Sequence, residues 1–239
     1  MMLGARTAAW AKSEYTAKDY VQDGLIAMWD GIENAGWGVH DTNATVWKDL
    51  VGTNNITMSY GYFSDNCFIS TSDRYANGVS SIYYDDLNHA ESVVATDQLS
   101  DGAMYAWCQN VQHSSGLSNN CKYQIIGESR VVNGFGASKT TSSTFNGTSD
   151  VFGVGEIACV SSDYVNNRHY VFGELRALKM DVTARSNAAG SFTIGGRNYN
   201  INDQGRRGSL FCIRLYNRNL SHDEVSANYA IDKARFNLP

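Results

Sequence analysis

The sequence predicts an all-β fold, and three observations carry that reading. From Ile56 to Val160, short apolar and β-branched runs recur between clusters of Gly, Asn, Asp and Ser; strands at this spacing are the pattern of a sandwich or barrel. The one proline is Pro239, so turns fall to the 22 glycines and to frequent Asn and Asp, residues that reach the backbone angles tight turns need. Hydrophobic residues are 43% of the 239 and charged residues only 18%, which suits a folded core and argues against a disordered chain.

Taken in order, residues 5–22 are Ala-rich with Lys12, Glu14, Lys18 and Asp19, which predicts one or two helical turns outside the sheets. Leu25, Ala27 and Trp29 alternate with Ile26, Met28 and Asp30, the period of a first strand. Gly31 to Thr45 has no strand period and holds Glu33, Asn34, Trp37, His40, Asp41 and Asn43. A polar loop of this length with an indole in it has two readings. Its polar groups satisfy the loop's own backbone while Trp37 folds back on the domain edge, or the loop is functional.

Strands are then expected at 56–60, 67–70, 80–84, 91–96, 103–108, 123–127, 131–135 and 150–160, with Lys139 to Ser149, almost wholly Ser, Thr, Gly and Asn, as an exposed loop. His169 to Met180 reads as a hairpin turning at Gly173-Glu174, glycine first as in a II′ turn. Phe192 and Ile194 mark a half-buried strand, and Arg197 to Arg207 a polar loop. Leu210 to Tyr216 is apolar on both parities, broken only by Arg214, as in a strand covered on both faces. A helix follows: Ser221 and Glu224 form a capping box, Leu220 and Val225 a hydrophobic staple, and Val225, Tyr229 and Phe236 an apolar face.

These segments resemble a known family. Ser191-Phe-Thr-Ile-Gly-Gly196, Gly208-Ser-Leu-Phe-Cys-Ile-Arg-Leu-Tyr-Asn217 and Ser221-His-Asp-Glu-Val225 are similar to the C-terminal end of a laminin-G-like domain. Gly24-Leu-Ile-Ala-Met-Trp-Asp30 and Trp47-Lys-Asp-Leu-Val-Gly52 resemble its first strand and its W-x-D-L-x-G turn. The resemblance implies a concanavalin A-like antiparallel β-sandwich of jelly-roll type. It would occupy residues 23–239 behind an N-terminal extension of residues 1–22, with a C-terminal helix and the first strand beside the last.

The fold hosts lectins, hydrolases and inert spacers alike, so function has to come from residues. The E-x-D-x-E stretch of the superfamily's glucanases is absent, since no Glu has Asp two residues on; the expectation is a non-enzyme, with a glycoside hydrolase of other carboxylates as the lesser alternative. Gly153-Val-Gly-Glu-Ile-Ala158 spells a dinucleotide fingerprint, but β-prone residues follow where a helix is needed. The five histidines lack H-E-x-x-H spacing and no G-x-S-x-G occurs. Five cysteines, Cys67, Cys108, Cys121, Cys159 and Cys212, leave at least one free thiol and form no C-x-x-C. Net charge −5 argues against a nucleic-acid partner, and no apolar run reaches the roughly 20 residues of a membrane helix.

What remains is recognition. Aromatic faces cover the apolar side of a sugar while amide, carboxylate and guanidinium groups fix its hydroxyls. Among the 14 Tyr and 5 Trp, loop aromatics with polar neighbours make Trp37, His40, Asp41, Tyr83, Tyr84, Asn198, Tyr199 and Arg206 the candidate carbohydrate-binding residues, with a glycan or glycoprotein as partner. Calcium is the candidate cofactor, its oxygen ligands drawn from Asp41 and Asn43 or from Asn202 and Asp203. The alternative function is structural: a bacteriophage or prophage particle component, or a surface-complex spacer, in a homo-oligomer or assembly. Arg6 and Thr7 interrupt what would be a signal peptide's apolar stretch, so the expected route is cytosolic synthesis with display on a particle or cell surface.

Overall fold

The computed structural model describes residues 14–72, 78–80, 89–96, 109–111, 120–121, 126–127, 130–133, 143–144, 157–163, 168–171, 174–178, 191–194 and 207–238. They form antiparallel sheets with one α-helix, as expected for an all-β fold. The strands are β1 (Leu25–Asp30), β2 (Val46–Trp47), β3 (Ile56–Met58), β4 (Gly61–Phe63), β5 (Phe68–Ser70), β6 (Gly78–Ser80), β7 (His89–Thr96), β8 (Gln109–Val111) and β9 (Asn120–Cys121). They continue with β10 (Ile126–Gly127), β11 (Arg130–Asn133), β12 (Ser143–Thr144), β13 (Ile157–Asp163), β14 (Arg168–Val171), β15 (Glu174–Leu178), β16 (Ser191–Ile194) and β17 (Gly208–Tyr216), and helix α1 spans His222–Phe236.

The larger sheet runs β15-β14-β13-β7-β17-β5-β4, with β1 also on β17. The second runs β2-β3-β6-β16-β8-β9, and β10-β11-β12 form a small third. Strand β17 is the axis. It pairs with β7 along its length, and its other edge is shared by β5, at Gly208–Leu210, and β1, at Cys212–Tyr216. Trp29 lies opposite Ile213, so first and last strands are neighbours, as the resemblance implied. Every residue from Leu210 to Tyr216 is buried. Alternation explains how: Cys212, Arg214 and Tyr216 share the face toward α1, and Ile213 and Leu215 take the other.

Side chains join the two large sheets. Trp47 of β2 meets Phe63 of β4 edge-on at 5.6 Å and stacks on Phe68 of β5 at 6.5 Å. Its indole N–H donates to the Asp30 carbonyl, and that of Trp29 to the Asn54 carbonyl. The W-x-D-L-x-G segment is a staple built on Asp49. Its carboxylate accepts from the backbone N–H groups of Met28, Val51 and Asn54. A Cβ at Gly52 would stand 2.8 Å from Asp49 Oδ2, so glycine is what lets the turn close.

Helix α1 begins with the expected box: Ser221 Oγ accepts from Glu224 N–H, and Glu224 accepts from Ser221 N–H. Asn237 ends it in the left-handed region at φ 53°. Glu224 also takes both terminal nitrogens of Arg218, whose Nε reaches Asp23 at 2.7 Å.

Several expectations need correcting. The strand expected at 56–60 ends at Met58, because Tyr60 has φ 54° and breaks the extended run. The hairpin pairs Val171 with Glu174, so Glu174 belongs to strand β15 and not to the turn expected at Gly173-Glu174. The buried face of α1 is Val225, Asn228, Ile231, Asp232, Arg235 and Phe236, half of it polar, while Tyr229 is only partly buried. Ile157 and Ala158 of the fingerprint-like segment begin strand β13, in keeping with the β-prone residues that follow them. Residues 103–108 lie outside the described residues.

Candidate functional site

The best-defined candidate is the long loop after β1. Asp30 ends that strand and folds its carboxylate back onto the N–H groups of Ile32 and Glu33. A tight turn follows, with Val39 N–H donating to Gly36 O and Ala35 N–H to Val39 O. Gly36 and Gly38 take φ 135° and 70°, the positive range L side chains avoid. They flank Trp37, which is presented at the tip, 38% exposed. Asn34 is wholly buried and bonds Asp41 twice, Nδ2 to its carbonyl and Oδ1 from its N–H. His40 Nδ1 lies 2.9 Å from the Ile32 carbonyl.

Glu33 ties this loop to the rest. Its Oε2 accepts from Gly38 N–H at 2.7 Å, while Oε1 accepts from Ala17 N–H at 2.8 Å and from Arg235 Nη2 at 3.0 Å. One buried carboxylate thus joins the Trp37 loop, the helical turn at Ala17–Asp19 and helix α1. That turn has its own capping box, with Thr16 and Asp19 as partners. The Thr16 backbone and hydroxyl bonds hold the Asp19 carboxyl below its usual range. Lys18, in the same turn, puts its ammonium 5.4 Å from the centre of the Trp37 ring.

Beneath the loop lies a buried polar layer between α1 and the larger sheet. Arg235 pairs with Asp30 as well as Glu33. Arg214 holds Asp232 through both terminal nitrogens at 2.7 Å and Glu91 through Nε at 2.7 Å. Tyr20 donates to Asp232, and Asn228 donates to Glu91 and to the Tyr216 hydroxyl. Burial raises the Tyr20 phenol well above its usual value, and the Asp232 charge adds to this. Burial also works to raise Glu91, but the Arg214 guanidinium and His89 more than offset it and leave it lowered. This layer is sealed and charge-paired, so it serves as a foundation rather than a ligand site.

Of the expected sugar-binding residues, Trp37, His40 and Asp41 sit together on one exposed loop. Tyr83, Tyr84, Asn198, Tyr199 and Arg206 lie outside the described residues. Of the calcium candidates, Asp41 Oδ1 accepts the Asn43 N–H, an ordinary turn contact; Asn202 and Asp203 lie outside. Among the described residues no three His, Cys, Asp or Glu side chains converge as metal ligands, and no helix is long and apolar enough to cross a membrane. Cys67 and Cys212 are buried free thiols. Sequence reading missed Glu33 as the tie and Lys18 as the neighbour of Trp37. The one signal available was an acidic residue opening a loop with no strand period.

No family model matches the sequence, and no curated protein matches it significantly. Among solved structures, the chain is similar to Trypanosoma rangeli sialidase in complex with sialic acid, with TM-score 0.63 and 14% identity over 88% of this chain and 33% of that one. A second structure of Trypanosoma rangeli sialidase gives 0.61 at 14%, again over 88% and 33%. The botulinum neurotoxin serotype D binding domain gives 0.50 at 12%, over 87% of this chain and 52% of that one. The chain therefore spans about a third of the sialidase chains' length, and at these identities the likeness is one of fold.

Proposed function

We propose that this chain is a non-catalytic carbohydrate-recognition module on a laminin-G-like sandwich, binding a glycan or glycoprotein through the Trp37 loop. The observation that carries the reading is the half-exposed indole at the tip of a loop whose backbone is locked by Glu33, Asn34 and Asp30. A platform held this way before the ligand arrives loses little entropy on binding, and an aromatic with polar neighbours is what sugar recognition requires. His40 and Asp41 supply those neighbours. Tyr83, Tyr84, Asn198, Tyr199 and Arg206 are proposed to add contacts from other loops. Fold neighbours that include a sialidase solved with sialic acid support a sugar ligand.

The carboxylates support binding without hydrolysis. Among the described residues two pairs meet in space: Asp30 with Glu33 on Arg235, and Glu91 with Asp232 on Arg214. All four are buried and neutralised by arginine, whereas glycoside hydrolysis needs an acid and a base or nucleophile facing the scissile bond. The test is a glycan array of the purified protein, run with calcium and again with chelator. The expected result is binding to a defined set of sugars that Trp37→Ala weakens by about 2 kcal/mol or more, as for a central aromatic anchor, with its circular dichroism unchanged. Binding that survives Trp37→Ala at full strength overturns the assignment of the loop.

A further inference from the structure

Resting on the recognition reading above, we propose that the Trp37 site takes an acidic sugar, with Lys18 reading its carboxylate. The juxtaposition is built. Lys18 and Trp37 come from separate segments, and Glu33 bonds both: Oε1 takes Ala17 N–H, the residue before Lys18, and Oε2 takes Gly38 N–H, the residue after Trp37. Arg235 neutralises that carboxylate from below, so Glu33 fixes the spacing without spending its charge on the ligand.

The ammonium that results is exposed and lies 5.4 Å from the indole centre. Among the described residues no carboxylate pairs with it; its neighbour Asp19 is turned onto Thr16 N–H and Oγ1. A cation resting on an exposed ring face is held only weakly. It can swing to an anion while its alkyl stem and the indole keep an apolar wall. A pyranose laid on that wall puts a ring-borne carboxylate within reach of the ammonium, and a charge-assisted bond of this kind is about twice as strong as one to a hydroxyl. His40, held through Nδ1 at the Ile32 carbonyl on the same loop, leaves Nε2 for a hydroxyl. The chain's net charge of −5 does little to oppose an anion's approach, since salt screens charges more than about 8 Å away.

The shared chemistry is a carboxylate on a pyranose, met both in sialic acids and in uronic acids. The experiment titrates the full chain with 3′-sialyllactose, α-1,4-digalacturonate, lactose and α-1,4-galactobiose, in low and high salt. One acidic probe should bind about tenfold tighter than its neutral counterpart, the gain expected of one charge-assisted bond. Which acidic probe shows it identifies the source. High salt and Lys18→Gln should each erase the difference, Lys18→Arg should restore it, and Trp37→Ala should remove binding of all probes. Equal affinity for acidic and neutral probes, or a preference that survives in Lys18→Gln, overturns the acidic-sugar assignment while sugar recognition stands. Folded protein that binds neither acidic probe overturns the acidic-sugar assignment, and a blank glycan array as well overturns sugar recognition.

Discussion

Arg214 occupies the middle of an otherwise apolar strand at 2% exposure, and its neighbours show how a charge is kept there. Glu91 lies directly across on β7, Asp232 comes down from α1, and the Tyr20 ring covers the guanidinium at 4.1 Å. Removing it strands two carboxylates in the interior. Arg214→Ala is therefore expected to cost about 3–5 kcal/mol, read as a lower urea midpoint. Glu224 behaves differently because it is part-exposed. Its bonds from Arg218 bring its carboxyl to about 2 from an ordinary 4.5, with burial opposing and the Ser221 backbone adding to the drop. A carboxyl lowered on folding stabilises above its unfolded value, and that contribution is lost as protons bind. Wild-type stability should thus fall relative to Glu224→Gln as pH drops from 4.5 toward 2. Parallel stability curves for the two proteins across that window would show that the pairing carries no weight.

At the scale of elements, β17 and α1 organise the larger sheet. Ile213 is 2% exposed, faces away from α1, and has Trp29 beside it on β1. Ile213→Asp buries a charge with no partner and is expected to leave the chain unfolded or aggregated; a thermal midpoint equal to wild type would contradict that placement of β17. The cap of α1 was legible because a capping box is written in four consecutive residues. The buried face of α1 was not, because Asn228, Asp232 and Arg235 look like solvent-facing polar residues. Their partners stand far off: Glu91 is 137 residues from Asn228, and Asp30 is 205 from Arg235. The end of β3 was misplaced because nothing in the letters of Tyr60 announces a left-handed backbone, a conformation rare outside Gly, Asn and Asp.

On the scale of the whole molecule, the alternating strands and the W-x-D-L-x-G staple made the antiparallel β fold readable before any coordinates, since burial and period act locally and repeat many times. The site was readable in part. An indole in a long polar loop could be picked out, but the tie that positions it joins Glu33 to Arg235 across 202 residues, and Lys18 reaches Trp37 only once both segments hang from that tie. Among the described residues, the larger sheet thus carries a paired polar layer under α1, and that layer steadies one exposed loop.

The most direct test of recognition through Trp37 follows the indole N–H signals of the 15N-labelled protein while a glycan found on the array is titrated in. Trp29 and Trp47 are buried, with their N–H groups bonded to the Asn54 and Asp30 carbonyls. The Trp37 signal, assigned by its loss in Trp37→Ala, should move in a saturable way while those two stay fixed. A ligand that binds and shifts other signals but leaves Trp37 in place would contradict it.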